Sequence, residues 1–132
     1  MIYPLYFYVL IFLGMIGVTK TKEKWEIIVE RLTKQFSEEE SLDVDGIIYL
    51  IGIQELGQLH RQFKKDDKVN LMHIAICKLL EPYGYYEFNF VDNDGWPHYK
   101  VIEELPNLRP GEQTLLMKEA IINYFERNNF FN

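Results

Sequence analysis

The sequence predicts a mainly α fold: a compact bundle of about four helices, with one small β-hairpin or aromatic loop between the third and fourth helices. Apolar residues recur at steps of three and four along most of the chain, which is the period of one helix face. Residues 85–91 are aromatic and break this period, and the turn-forming sequence Asp92-Asn93-Asp94-Gly95 follows them. That combination is typical of a hairpin. The helices are predicted at residues 21–36, 44–59, 66–80 and 111–127.

The second helix is predicted to lie at the centre of the bundle, because residues 47–53 are apolar on every side. A short apolar run also suits a central strand, but the segment continues without a turn signal, which favours a helix. Asp43 or Asp45 is suited to cap its start, and Gly57 is placed to end it. Gly52 either weakens this helix or allows a neighbouring helix to approach closely.

An uncharged apolar segment, residues 1–18, precedes the predicted bundle, and Lys20, Lys22 and Lys24 follow it directly. A membrane-spanning helix needs roughly 20 residues, and the lysines would then place the rest of the chain in the cytoplasm. A second interpretation is translation from Met15, with residues 1–14 an extension produced by a misassigned start codon. A cleaved signal peptide fits poorly, because no Lys or Arg precedes the apolar run. A membrane partner is expected only if residues 1–18 belong to the protein.

Residues 19–132 have the length of one domain and contain no linker or internal repeat. The formal net charge of -6 belongs entirely to this part of the chain. An acidic balance argues against a nucleic-acid partner, since phosphate binding relies on Lys and Arg. The single cysteine, Cys77, has no partner for an internal disulfide, which favours a reducing compartment such as the cytoplasm.

Motifs that carry well-known chemistry are missing from the sequence. It contains no Gly-x-Ser-x-Gly elbow, P-loop, Gly-x-Gly-x-x-Gly, Cys-x-x-Cys pair or His-Glu-x-x-His. We therefore predict no catalytic residue and no cofactor, and the sequence favours a protein that is not an enzyme.

One set of residues suggests a metal site as an alternative. His73 and Cys77 are four residues apart on the third predicted helix, so they share a face. Together with Glu55 and either His60 or His98, they would supply the nitrogen, sulfur and oxygen ligands that zinc prefers. The simpler interpretation, a boundary histidine beside a buried and unreactive thiol, is favoured.

The densest aromatic group supplies the candidate binding residues. At the surface it would resemble a binding hot spot, where Tyr and Trp are enriched, whereas in the core it would need no function. Glu55 ends the apolar central helix, either as a general base with a raised pKa or as a rim residue paired with Arg61, His60 or a lysine. The candidate binding residues are Tyr83, Tyr85, Tyr86, Trp96, His98, Tyr99 and Glu55.

Four stretches carry a resemblance to a known group of proteins. They are DGIIYLIGIQELG at 45–57, LMHIAIC at 71–77, YGYYE at 83–87 and DGWPH at 94–98. In these stretches the chain resembles small uncharacterised proteins from bacteria of the Bacteroidetes type, over residues 21–126. The resemblance implies a small cytoplasmic bacterial protein and implies nothing about chemistry.

Three functions are consistent with the sequence. The first is a non-catalytic binding or interaction module, with a protein or small-molecule partner and the aromatic segment as its contact surface. The second is a small metal-dependent enzyme that uses His73, Cys77 and Glu55. The third is a cytoplasmic domain tethered by an N-terminal transmembrane helix.

Overall fold

The computed structural model describes residues 5–37, 39–58 and 62–131, with side chains from residue 20 onward. Within these residues, four α-helices and one antiparallel hairpin follow each other, which confirms the mainly α prediction. The hairpin lies between the third and fourth helices, after a short 3-10 turn at Glu81–Tyr83. The elements are α1 Leu5–Phe36, α2 Val44–Leu56, α3 Lys65–Leu80, β1 Tyr86–Val91, β2 Pro97–Val101 and α4 Pro110–Arg127.

Helix α1 is longer than predicted, since it begins at Leu5 and not near residue 21. No proline follows Pro4 in this stretch, so nothing in the sequence interrupts the helix. The membrane-anchor prediction concerns residues 1–18, whose side chains lie outside the described part of the chain. Among the residues whose side chains the structure describes, no helix combines the length and apolar character that a bilayer crossing requires.

Local hydrogen bonds set the bounds of α2. The Asp43 side chain accepts a hydrogen bond from the N–H of Gly46 at 2.8 Å, which caps the first turn as predicted. Gly57 has a φ of 73° and donates its N–H to the Ile53 carbonyl at 3.1 Å. A left-handed glycine of this kind ends a helix, so α2 stops at Leu56 and not at the predicted residue 59.

All four helices contribute to one buried core. Helix α2 supplies three isoleucines to its centre, and these contact residues of the other helices, so the prediction of a central helix agrees with the packing. Fully burying an isoleucine side chain contributes roughly 1.5–3 kcal/mol. The buried core residues are Ile28, Leu32, Ile47, Ile48, Ile51, Ala75, Leu79, Leu80, Ala120, Ile121 and Ile122.

Gly52 allows α2 and α3 to pack with their backbones in contact. A Cβ atom at this position would lie 2.7 Å from the carbonyl carbon of Leu71 and closer still to its oxygen. Leu71 belongs to α3, and both residues are buried. Of the two roles predicted for Gly52, the structure shows the close helix–helix approach.

We expect Gly52→Ala to destabilise the protein by about 2 kcal/mol or more, because the new methyl group meets backbone atoms that cannot rotate away. Urea unfolding followed by far-UV circular dichroism measures this change. Gly111→Ala is the matched control: a Cβ there meets nothing within 4 Å, and removing a glycine from a helix stabilises it by about 0.4–1 kcal/mol. Equal effects of the two substitutions would contradict the packing argument.

Candidate binding surface

The hairpin is built around a four-residue turn and one bulge. Gly95 has a φ of 88° in the predicted turn, and Asp92 Oδ1 accepts the N–H groups of Asp94 and Trp96, each at 2.9 Å. In the ladder, Phe88 lies opposite Tyr99 and Phe90 lies opposite His98. Asn89 has no opposite residue and forms a β-bulge.

The bulge places Phe88 and Phe90 on different faces of the hairpin. Residues directly opposite each other share a face, and Tyr99 and His98 are neighbours in β2, so their side chains point to opposite faces. Phe88 is 47% exposed and Phe90 is 49% exposed. Val91, Val101 and Ile102 are also exposed. We call these five residues, Phe88, Phe90, Val91, Val101 and Ile102, the hairpin surface.

The hydrogen bonds of the hairpin show which backbone groups point outward from its two edges. On the β1 edge, the N–H of Phe88 donates to Glu81 Oε2 at 2.8 Å. Between the two sides of the hairpin, the N–H of Ile102 donates to the Tyr85 carbonyl at 2.9 Å, so this N–H points toward β1. Because ladder bonds alternate along an antiparallel pair, the backbone groups of Tyr99 and Val101 point away from β1. Within the described residues the sheet has only these two strands, so β2 is an edge strand.

Trp96 and Tyr99, two of the predicted binding residues, are half-buried. Trp96 packs on a small apolar cluster formed by Leu56, Leu71 and Ile74, and this contact holds the hairpin against the helices. Burial, followed by the charges of Glu81, Glu55 and Cys77, raises the pKa of Tyr99 to about 12. Both rings are partly covered, so the exposed contact area belongs to the hairpin surface.

Trp96, His98 and Tyr99 also line a cleft between the hairpin and α3. Its volume is about 340 Å³, and His73, Asp67 and Asn70 line its other wall. The structure thus brings three predicted binding residues together with His73, which the sequence placed in the metal alternative.

The other tyrosines of the aromatic group lie elsewhere. Tyr85 and Tyr86 pack against the main core. Tyr83 is exposed on one side, and partial burial, followed by the charges of Glu119 and Glu126 on α4, raises its pKa above the ordinary value. The aromatic group is therefore divided between core packing and surface.

Of the ligands proposed for the alternative metal site, the structure brings His73 and Cys77 together. His73 Nε2 lies 3.6 Å from Cys77 Sγ. Burial raises the pKa of the Cys77 thiol to about 11, so it is protonated at neutral pH, whereas metal binding needs the thiolate. Within residues 20–37, 39–58 and 62–131, no three His, Cys, Asp or Glu side chains are placed to hold a metal ion. His60, a predicted fourth ligand, lies outside the described residues.

Glu55 has a partner that the sequence did not indicate. The hydroxyl of Tyr124 donates to Glu55 Oε2 at 2.7 Å. Burial, followed by this bond to Glu55, raises the pKa of Tyr124 above its ordinary value, so the phenol stays a neutral donor. Two of the expected partners, His60 and Arg61, lie outside the described residues. Tyr124 lies on α4, so this contact exists only because α4 packs against α2.

The turn contains a second side-chain pair, Asp92 and His98, which was not predicted from the sequence. Asp92 Oδ2 lies 2.8 Å from His98 Nε2, and the His98 ring stacks on Phe90 with centroids 4.6 Å apart. The bond to His98, followed by the backbone N–H of Trp96, holds the pKa of Asp92 below its ordinary value. One carboxylate therefore joins the turn backbone to the exposed aromatic pair.

The fold and surface define the class of this protein as a small helical domain that carries an exposed β-hairpin. No protein-family model matches the chain, and searches of curated proteins and of solved structures also find no match.

We expect Asp92→Asn to destabilise the hairpin, because a neutral amide replaces the carboxylate that contacts His98 and accepts two backbone N–H groups of the turn. A carboxyl group with a lowered folded pKa stabilises the protein above its ordinary pKa, and this contribution is lost as the pH falls through the folded value. The stability difference from the wild type should therefore be full at neutral pH and shrink in acid. Urea unfolding at neutral pH and at acidic pH measures this stability difference. Asp94→Asn, which removes no described side-chain bond, should show no such pH dependence.

Cys77 should resist thiol reagents in the folded protein. With its pKa raised to about 11, its thiolate fraction at pH 8 is about a hundredfold below that of an unfolded cysteine. Reaction with a coloured disulfide reagent, in buffer and in urea, measures the difference. Fast labelling without denaturant would contradict the buried position of the thiol.

Proposed function

We propose that the chain is a non-catalytic interaction module that binds a protein partner through the hairpin, with an extended segment of the partner pairing along β2. The observation that carries this proposal is the hairpin surface, where large apolar side chains are exposed on both faces beside an edge strand. Exposed apolar side chains grouped on one element are typical of interaction sites.

The edge of β2 supplies the directional part of the proposed contact. The backbone groups of Tyr99 and Val101 point away from β1 and are suited to bind the backbone of an added strand. Such pairing depends little on the partner's sequence, and the neighbouring side chains provide the specificity. Val101, which is 60% exposed, would contact the partner directly.

The support beneath the hairpin favours binding as well. Trp96 is packed against the helices, and the Glu81 carboxylate accepts a hydrogen bond from the N–H of Phe88 on the β1 edge. A preformed hairpin loses little conformational entropy when a partner binds. Glu103 and Glu104 follow β2 and are exposed, so a partner segment with Lys or Arg is electrostatically favoured.

We place this module in a bacterial cytoplasm. The support for this location is the single unpaired thiol of Cys77, together with the resemblance to small bacterial proteins described for the sequence.

The test is a pair of proline substitutions with a photo-crosslinking side chain at Ile102. Val101→Pro removes an N–H that points away from β1, so the hairpin should persist while crosslinking to the partner in cells is lost. Lys100→Pro removes an N–H that points toward β1 and should disrupt the hairpin itself. Circular dichroism and amide resonances of the hairpin separate these two effects.

Two further arms make the result decisive. Val101→Thr keeps the β-branched shape and the N–H, so it should weaken crosslinking without abolishing it. A crosslinker at Leu115, an exposed apolar residue of α4, should capture no specific partner. Undiminished crosslinking in Val101→Pro, or equal capture from Ile102 and Leu115, would rule out pairing along β2.

A further inference from the structure

A cavity of about 270 Å³ lies between α2, α3 and α4, and its lining residues are separate from those of the hairpin cleft. Its walls carry polar and charged groups from all three helices: Glu55, Lys78, Asn123, Tyr124, Arg127 and Asn128. Leu79, Pro82 and Ala120 supply apolar surface between these groups. Small molecules bind in concave sites of this kind, where polar groups converge beside apolar surface.

The anionic group in this cavity is held in a fixed position. Glu55 is half-buried at the end of α2, and the Tyr124 hydroxyl donates to its Oε2 at 2.7 Å. A hydrogen bond to an ionised acceptor is stronger than one between neutral groups, so it fixes the carboxylate. Among the described residues nothing binds the other oxygen, Oε1.

The cationic side of the cavity has spare binding capacity. Arg127 makes no ion pair with any described residue, although its guanidinium group carries five donors. Lys78 contacts Glu81 at 3.7 Å, which is a long ion pair. The side-chain amide of Asn123 makes no hydrogen bond within the described part of the chain, so it also remains a donor and acceptor.

We propose that this cavity binds a small zwitterion of the amino-acid type, with its ammonium group on Glu55 and its carboxylate on Arg127. The site carries charges of both signs from different helices, with Glu55 on α2 and the cations Lys78 and Arg127 on α3 and α4, which matches a ligand that carries both charges. The carbonyl ends of α2, α3 and α4 lie nearby, since Glu55, Lys78 and Arg127 belong to the last turns of these helices, and they add negative potential for an ammonium group. Arg127 supplies the paired donors that a carboxylate accepts. The volume restricts the ligand to a short side chain.

The test compares three probes of matched shape at millimolar concentration: L-valine, 3-methylbutanoate, which lacks the amine, and isobutylamine, which lacks the carboxylate. A ligand that binds the folded state raises the melting temperature, and calorimetric titration gives its affinity. L-valine, or another of the standard amino acids tested beside it, should raise the melting temperature saturably, and the two single-charge probes should bind at least about tenfold more weakly.

Two substitutions test which residue binds each end of the ligand. Glu55→Gln retains an acceptor for Tyr124 and loses the charge, and Arg127→Gln loses the guanidinium group. Each should weaken amino-acid binding by about tenfold to a hundredfold, the loss expected when a charged hydrogen bond is removed. Glu104→Gln and Lys65→Gln make the same charge changes at exposed positions outside the cavity and should leave the affinity unchanged.

Side-chain amide resonances of the wild-type protein give a readout that does not depend on how the variants fold. Asn123 and Asn128 line the cavity, so their signals should move with the bound amino acid, and those of Asn89 and Asn107 should not. Three results would overturn the proposal: no saturable binding of any standard amino acid, single-charge probes that bind as tightly as the amino acid that binds, or affinity that both cavity substitutions leave intact.

Discussion

The contact between Gly52 of α2 and the backbone of Leu71 of α3 is the constraint on which the rest of the arrangement depends. It brings the two helices closer than side chains on both would allow. Leu71 and Ile74 then meet Leu56 in the small apolar cluster that supports Trp96. The hairpin therefore takes its position from a helix crossing that a single methyl group would disturb. At the other end of α3, the same crossing places Lys78 beside the cavity that holds Glu55.

The charged and polar groups lie at the boundary of this core and not inside it. Within the described residues, every buried side chain of the core is apolar, and no buried polar side-chain atom lacks a hydrogen-bond partner. Tyr124 makes one of the polar contacts at this boundary, because its hydroxyl donates to Glu55 at 2.7 Å. Surfaces built this way can change their charges without loss of the apolar interior, because exposed charges contribute little to stability.

Most of the fold follows from local signals, which explains why it was predictable. The period of the apolar residues places the helices, Asp43 and Gly57 set the ends of α2, and Asp92 to Gly95 give the turn. The start of α1 was predicted near residue 21, but residues 5–20 contain no proline that would break the helix, and it extends back to Leu5. Gly52 was recognised as special, but only the structure chose between its two roles.

The candidate sites were less predictable, because they depend on residues that are distant in sequence. Glu55 and Tyr124 are 69 positions apart and meet only when α4 packs on α2. Asp92 and His98 are close in sequence, but their contact requires the turn geometry. The aromatic density around the hairpin was visible in the sequence. Its division into anchoring rings and exposed rings depends on the bulge and on α3, which no local pattern encodes.

The unpaired Asn89 has a consequence for how this hairpin can evolve. It is a single extra residue that reverses the side-chain alternation between Phe88 and Phe90. Loss of one codon would remove the bulge and leave the two phenylalanines adjacent, still opposite Tyr99 and His98 and still on opposite sides of the strand pair. What would change is the local bend and the added twist that a bulge gives to a strand. The straightened ribbon would keep apolar side chains on both sides but would present them to a partner at a different angle.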